Sequence, residues 1–144
     1  MAAVSRIPAT QDKVKQVLAA RPALSGVQIT VGEPSDPRPI EYIVVSSVVT
    51  DWRQEYVTPE LKQEDFTLPV HVFAQRFDAY AVARDRAFLI AAEVEAELRS
   101  NPTLTNTDWD VKIAGGSTGE IQEDEQHGCV VTFDLACTSE LTAT

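Results

Sequence analysis

The chain has 144 residues, 44% hydrophobic and 24% charged, a length that suits one domain with a full core. No apolar run approaches the roughly 20 residues that a membrane-spanning helix requires. Twelve Lys and Arg are scattered among 22 acids for a formal charge of −10, which excludes a basic face that could neutralise a row of phosphates.

The start, MAAVSRIPATQDK, has no continuous apolar stretch of the kind a secretory signal carries, so the chain is expected to be made and kept in a cytoplasm. Two cysteines, too few for a disulfide scaffold, fit a reducing compartment. A first helix is expected after Pro8, with Thr10 as N-cap over QDKVKQVLAA, because Val14, Val17 and Leu18 form an i, i+3, i+4 stripe. Arg21-Pro22 should end it, since the residue before a proline is pushed out of the α region. Val27 to Val31 reads as a short strand, and GEPSDPRP, with three prolines and a glycine, as a loop or wide turn.

Glu41 to Thr50 (EYIVVSSVVT) is the strongest strand signal, apolar on both faces along much of its length, as in a covered strand. DWRQEYVTPELKQED is polar but carries Trp52 and Tyr56, and reads as the tip of a long hairpin or a loop. Glu64 to Gln75 alternates, with Phe66, Leu68, Val70 and Val72 on one face; Pro69 has no amide donor, so an edge strand or a bulge is expected. Asp78 to Ser100 is the clearest helix, striped by Tyr80, Ala83, Ala87, Ile90, Ala91, Val94 and Leu98, capped by Asp78 and closed by Asn101-Pro102. Strands over Asp108 to Ala114 and Cys129 to Leu141 follow, joined by GGSTGEIQEDEQHG, whose glycines read as a flexible hairpin connection. The order α-β-β-β-α-β-β predicts a single α+β domain over residues 1–144, with a mixed or antiparallel sheet of about five strands against two helices. Residues 1–9 and 142–144 are expected to be loose ends.

The stretch EDEQHGCVVTFDLAC gathers both cysteines, His127 and several carboxylates. In a strand Cys129, Val131, Phe133, Leu135 and Cys137 share one face, and the two sulfurs stand eight positions, roughly 27 Å, apart. A disulfide or shared metal needs them far closer, so core cysteines are the expected reading. EDEQ lacks the spaced register of a calcium loop, and GGSTG lacks the lysine and following helix of a phosphate loop. His71 has no Ser or Cys arranged to use it, and RDR (84–86) puts alternating charge on a solvated helix face. No constellation supports an enzyme, and neither a metal nor a cofactor is expected.

Trp52 and Tyr56 sit among charges (DWRQEY), where they are either contacts for a partner or side chains packed over the edge of their own sheet. The candidate interface residues are Trp52, Arg53, Tyr56, His71, Arg84, Arg86, Glu123 and Asp124.

In LSGVQITVGEP, EYIVVSSV, the acidic lead into EDFTLPVHVF, RDRAFLIAAEVEAELRSNPTL and a last strand like GCVVTFDLAC, the chain resembles the tail terminator (tail completion) proteins of long-tailed bacteriophages, in the form carried by actinobacterial phages. These stretches span about residues 11 to 141, and their order and spacing carry the resemblance. It implies an α+β fold assembled as a homo-hexameric ring in the virion, at the neck end of the tail. Such a ring caps the tail tube, stops addition of tube protein, and presents a surface to head-completion or connector proteins, with DNA passing through its lumen unbound. An acidic chain suits such a lumen. The alternatives are a head-tail connector or minor tail protein of the same virion, or a small soluble ligand-binding or enzyme domain using His71 or His127.

Overall fold

A computed structural model describes residues 5–34, 40–77, 79–104, 109–123 and 126–142. Its elements run α1 (Ile7–Ala19), a 3-10 turn (Pro22–Leu24), β1 (Gln28–Val31), β2 (Glu41–Val45), β3 (Thr50–Thr58), β4 (Leu61–Arg76), α2 (Tyr80–Ser100), β5 (Trp109–Glu123) and β6 (Gln126–Thr142). The result is a six-stranded mixed sheet with two helices, an α+β domain as expected, with one strand more. DWRQEYVTPELKQED is the hairpin, and its outer half, β3, is the added strand.

The strands lie in the order β1-β2-β4-β6-β5, with β3 beside the first half of β4 on the side where β2 flanks its second half. Only β1 and β2 are parallel among the paired strands; the rest are antiparallel. Alternation decides the faces. Every even-numbered residue of β4 from Lys62 to Ala74 is buried, while the odd-numbered ones are not. Opposite them Cys129, Val131, Leu135, Cys137, Ser139 and Leu141 of β6 are buried on the same face, with Leu68 and Leu135 as register partners. Both helices cover that face. Ala83, Ala87 and Ala91 give α2 a narrow buried side, so its backbone lies close over β4 and β6, and Ile90, Val94 and Leu98 fill the remaining space.

Five details differ from the sequence reading. The first helix starts at Ile7, before Pro8, whose missing N–H costs nothing in a first turn. Thr10 is therefore not the N-cap: it is buried one turn in, its hydroxyl donating to the Arg6 carbonyl at 2.8 Å. The Asp78 cap lies outside the described residues. The strand expected over Glu41 to Thr50 stops at Val45.

Pro69, expected at an edge or bulge, sits inside the central strand. The Pro69 carbonyl accepts the Ser46 N–H, so the proline nitrogen, on the same side, points where β2 has ended and β3 has not begun. The missing donor falls in that break, and the ladder to β6 runs through unbroken. Finally, GGSTGEIQEDEQHG is mostly strand rather than a flexible connection. A bulge at Ala114 shifts the register, and a Cβ on Gly116 would lie 2.4 Å from the Thr132 carbonyl oxygen. That glycine is required by close backbone approach, not by a turn.

Candidate interaction surfaces

The cysteines face the core from one strand and are free thiols. Burial pushes Cys137 up to about 12, and Cys129 Sγ lies 3.7 Å from the Tyr80 hydroxyl. Among the described residues no group of three His, Cys, Asp or Glu could hold a metal. No described helix is long and apolar enough to cross a membrane.

The open face of the sheet carries His71. Its Nδ1 lies 2.8 Å from the Thr132 hydroxyl, and its register partner is Thr132 as well. The ring edges a pocket of about 280 Å³ beside the stacked pair Tyr42 and Phe73, whose centroids are 4.6 Å apart. Burial lowers the His71 pKa below its ordinary 6.5, opposed by the charge of Asp134.

Two carboxylates organise opposite ends of the sheet, and neither is among the sequence candidates. Glu41, at the start of β2, binds Arg86 of α2 through two bonds of 2.7 and 3.0 Å and also holds Arg76 at the end of β4. The Arg86 bonds first, with Arg76, outweigh burial and hold its pKa below the usual carboxylate range. Glu64, fully buried in the first half of β4, accepts from the Ser5 hydroxyl (2.6 Å), the Arg6 amide (2.7 Å), the Trp52 indole (2.7 Å) and the Gln54 carboxamide (2.9 Å). Burial is the largest influence and acts upward, but these donors together outweigh it, so its pKa too is lowered. A signal for Glu64 was present: it lies in phase with Phe66, Leu68, Val70 and Val72, an acid on an otherwise apolar face.

The sequence-predicted residues fall into distinct places. Trp52 and Tyr56 are on β3, whose nine residues are all exposed; Trp52 is 52% and Tyr56 65% exposed, with Val57 beside them at 58%. A bulge with Asp51 at φ 53° precedes Trp52 and lets it reach Glu64 on the helix side. Trp52 is thus both tethered to its own sheet and half open to a neighbour. Arg53 lies opposite Asp65 on the other face. Arg84 is exposed and pairs with the adjacent Asp85, while Arg86 is committed to Glu41. The backbone of Glu123 ends β5 opposite Gln126, and Asp124 lies outside the described residues. The structure brings Trp52, Arg53 and Tyr56 together on one strand and keeps His71, Arg84 and Arg86 apart from them.

No protein-family description matches this sequence, and no curated protein matches it. Solved structures do share its fold. One is a chain described as "Virion of native gene transfer agent (GTA) particle", with a TM-score of 0.68 over 95% of this chain and 100% of that one, at 15% identity. A second, carrying a sequence identifier in place of a descriptive name, gives a TM-score of 0.51 over 94% of this chain and 96% of that one, at 18% identity. At such identities the likeness is one of fold.

Proposed function

We propose that this chain is a structural protein of a phage-like virion, and within it a tail terminator: a homo-hexameric ring that caps the tail tube, stops its elongation and receives the head-completion or connector protein. The observation that carries this reading is the end-to-end fold likeness to a chain of a gene transfer agent virion, 95% of one chain on 100% of the other. The geometry supports it in a second way. The described residues build exposed strands and ion networks rather than a chemical centre, and β3 offers large apolar side chains to a neighbour. The net charge of −10 suits a lumen that DNA crosses without sticking. Trp52, Arg53, Tyr56 and Arg84, all exposed, are the proposed contact residues; His71, Arg86, Glu123 and Asp124 are carried as further members of the set.

Mass measurement of the purified protein, alone and with tail-tube protein, is expected to give a hexamer, and electron microscopy of the mixture a ring at one tube end. A strict monomer in both conditions overturns the ring. A ring that binds a portal or neck complex and ignores tubes assigns the chain instead to the head-tail connector.

A further inference from the structure

The β3 strand is matched by a second exposed apolar surface at the far end of the sheet. Ile40, Phe77, Val82 and Leu89 are 53%, 66%, 45% and 61% exposed. Each is next in the chain to, or one helix turn from, a residue of the Glu41 ion network. Val82, Arg86 and Leu89 fall at i, i+4 and i+7 of α2 and form one stripe, which Arg86 fastens to Glu41. Ile40 directly precedes Glu41, and its carbonyl accepts the Gln75 N–H at 2.8 Å. Phe77 directly follows Arg76, the second guanidinium on Glu41. Two guanidiniums against one carboxylate give this network an excess positive charge within an acidic chain.

We propose that this corner is the docking site for the β3 strand of a second copy of this chain, which names the contact that builds the ring and rests on the ring reading. The two surfaces complement each other in chemistry. Residues 50–60 hold Asp51, Glu55 and Glu60 against Arg53, three negative charges less one positive, and present Trp52, Tyr56 and Val57. Large apolar side chains thus meet large apolar side chains, and an acidic strand meets the two guanidiniums that share Glu41.

Reach within one chain rules out the same contact in the monomer. Tyr56 pairs with Lys62, and Arg76 stands fourteen positions further along the same continuous strand, roughly 45 Å away at about 3.3 Å per residue. A contact between two different and distant surfaces is head-to-tail. It leaves one free end of each kind after every addition, and closes into a ring when the rotation per subunit allows.

The test uses Tyr56→Asp on the strand and Leu89→Asp on the corner, each alone and mixed in equal amounts, read by sedimentation and by thermal melting. Each variant is expected to keep the wild-type melting temperature and to weaken self-association by at least about tenfold. The mixture is expected to recover dimers but not rings, because each pair retains one intact strand facing one intact corner. If both variants assemble as the wild type does, the docking site is wrong while the ring stands. Two folded variants whose mixture yields no dimers also overturn it. If the wild type is monomeric at every concentration, the ring falls and this contact with it. Should either variant melt early, Val57→Asp and Val82→Asp are read by the same criteria.

Discussion

Glu41 and Glu64 anchor opposite ends of the sheet, and the difference between them lies in what surrounds each charge. Glu41 sits between two guanidiniums whose side chains are 24% and 40% exposed, so its partners can fall back on water. Glu64 is 0% exposed and is held by four uncharged donors, one of them the amide of Arg6 at the start of α1. A helix N-terminus favours a negative charge, and the fully buried Glu64 carboxylate is the common acceptor that ties the Ser5 hydroxyl and Arg6 amide to β4. The lesson is that an ion pair at a rim fastens two elements, whereas a buried carboxylate with neutral donors decides whether three segments stay together. Those segments are residues 5–6, β3 and β4.

The largest expected effect follows directly. Glu64→Ala removes the acceptor of four hydrogen bonds and is expected to cost about 3 kcal/mol, lowering the melting temperature by roughly 10 °C. Glu41→Ala comes next at about 2 kcal/mol, because Arg76 and Arg86 can be solvated where they stand. Thermal unfolding followed by circular dichroism ranks the two. If Glu41→Ala proves the more damaging, the comparison is broken and the cation-balanced end is the keystone.

Both ends were differently legible in the sequence. The period-3.6 stripe of Ala83 to Leu98 and the period-2 run of Phe66 to Val72 encode burial directly, and the structure buries those residues. The reading of Pro69 went astray because the rule against proline in central strands concerns one missing hydrogen bond, and only the topology shows that its nitrogen faces the gap between the β2 and β3 ladders. The GGSTG stretch misled for a related reason: glycine marks both turns and close backbone approach, and residue type alone does not distinguish them. Glu64 could have been found by its phase. Its partners could not, since Ser5 lies 59 positions away and Trp52 twelve.

Acid titration sharpens the comparison next. Glu41 and Glu64 both have folded pKa values below the ordinary 4.5, so the unfolded chain takes up protons first. Their contribution to stability is therefore complete above about pH 4.5 and is lost as the pH falls through the lowered folded values. Urea midpoints between pH 7 and pH 3 should show wild type and Glu64→Gln converging below pH 4.5. Parallel curves over that range refute the assignment. His71 acts earlier: its lowered pKa makes its contribution complete above about 6.5 and lost below, so His71→Gln should flatten the profile between pH 6.5 and pH 5.

The smallest effects separate the two roles that Trp52 combines. Trp52→Phe keeps an aromatic ring on the surface but removes the indole N–H from Glu64, at an expected cost of about 1 kcal/mol. Tyr56→Ala, four residues along the same strand and 65% exposed, should stay within about 0.5 kcal/mol of the wild type. Assembly should respond in the opposite order, with Tyr56→Ala weakening self-association more than Trp52→Phe, because the tyrosine loses its whole contact surface and the phenylalanine retains most of it. Measuring stability by urea unfolding and association by sedimentation on the same two variants crosses these orders. If stability and assembly instead fall together in both, β3 serves the monomer's own sheet and its exposed aromatics recruit no neighbour.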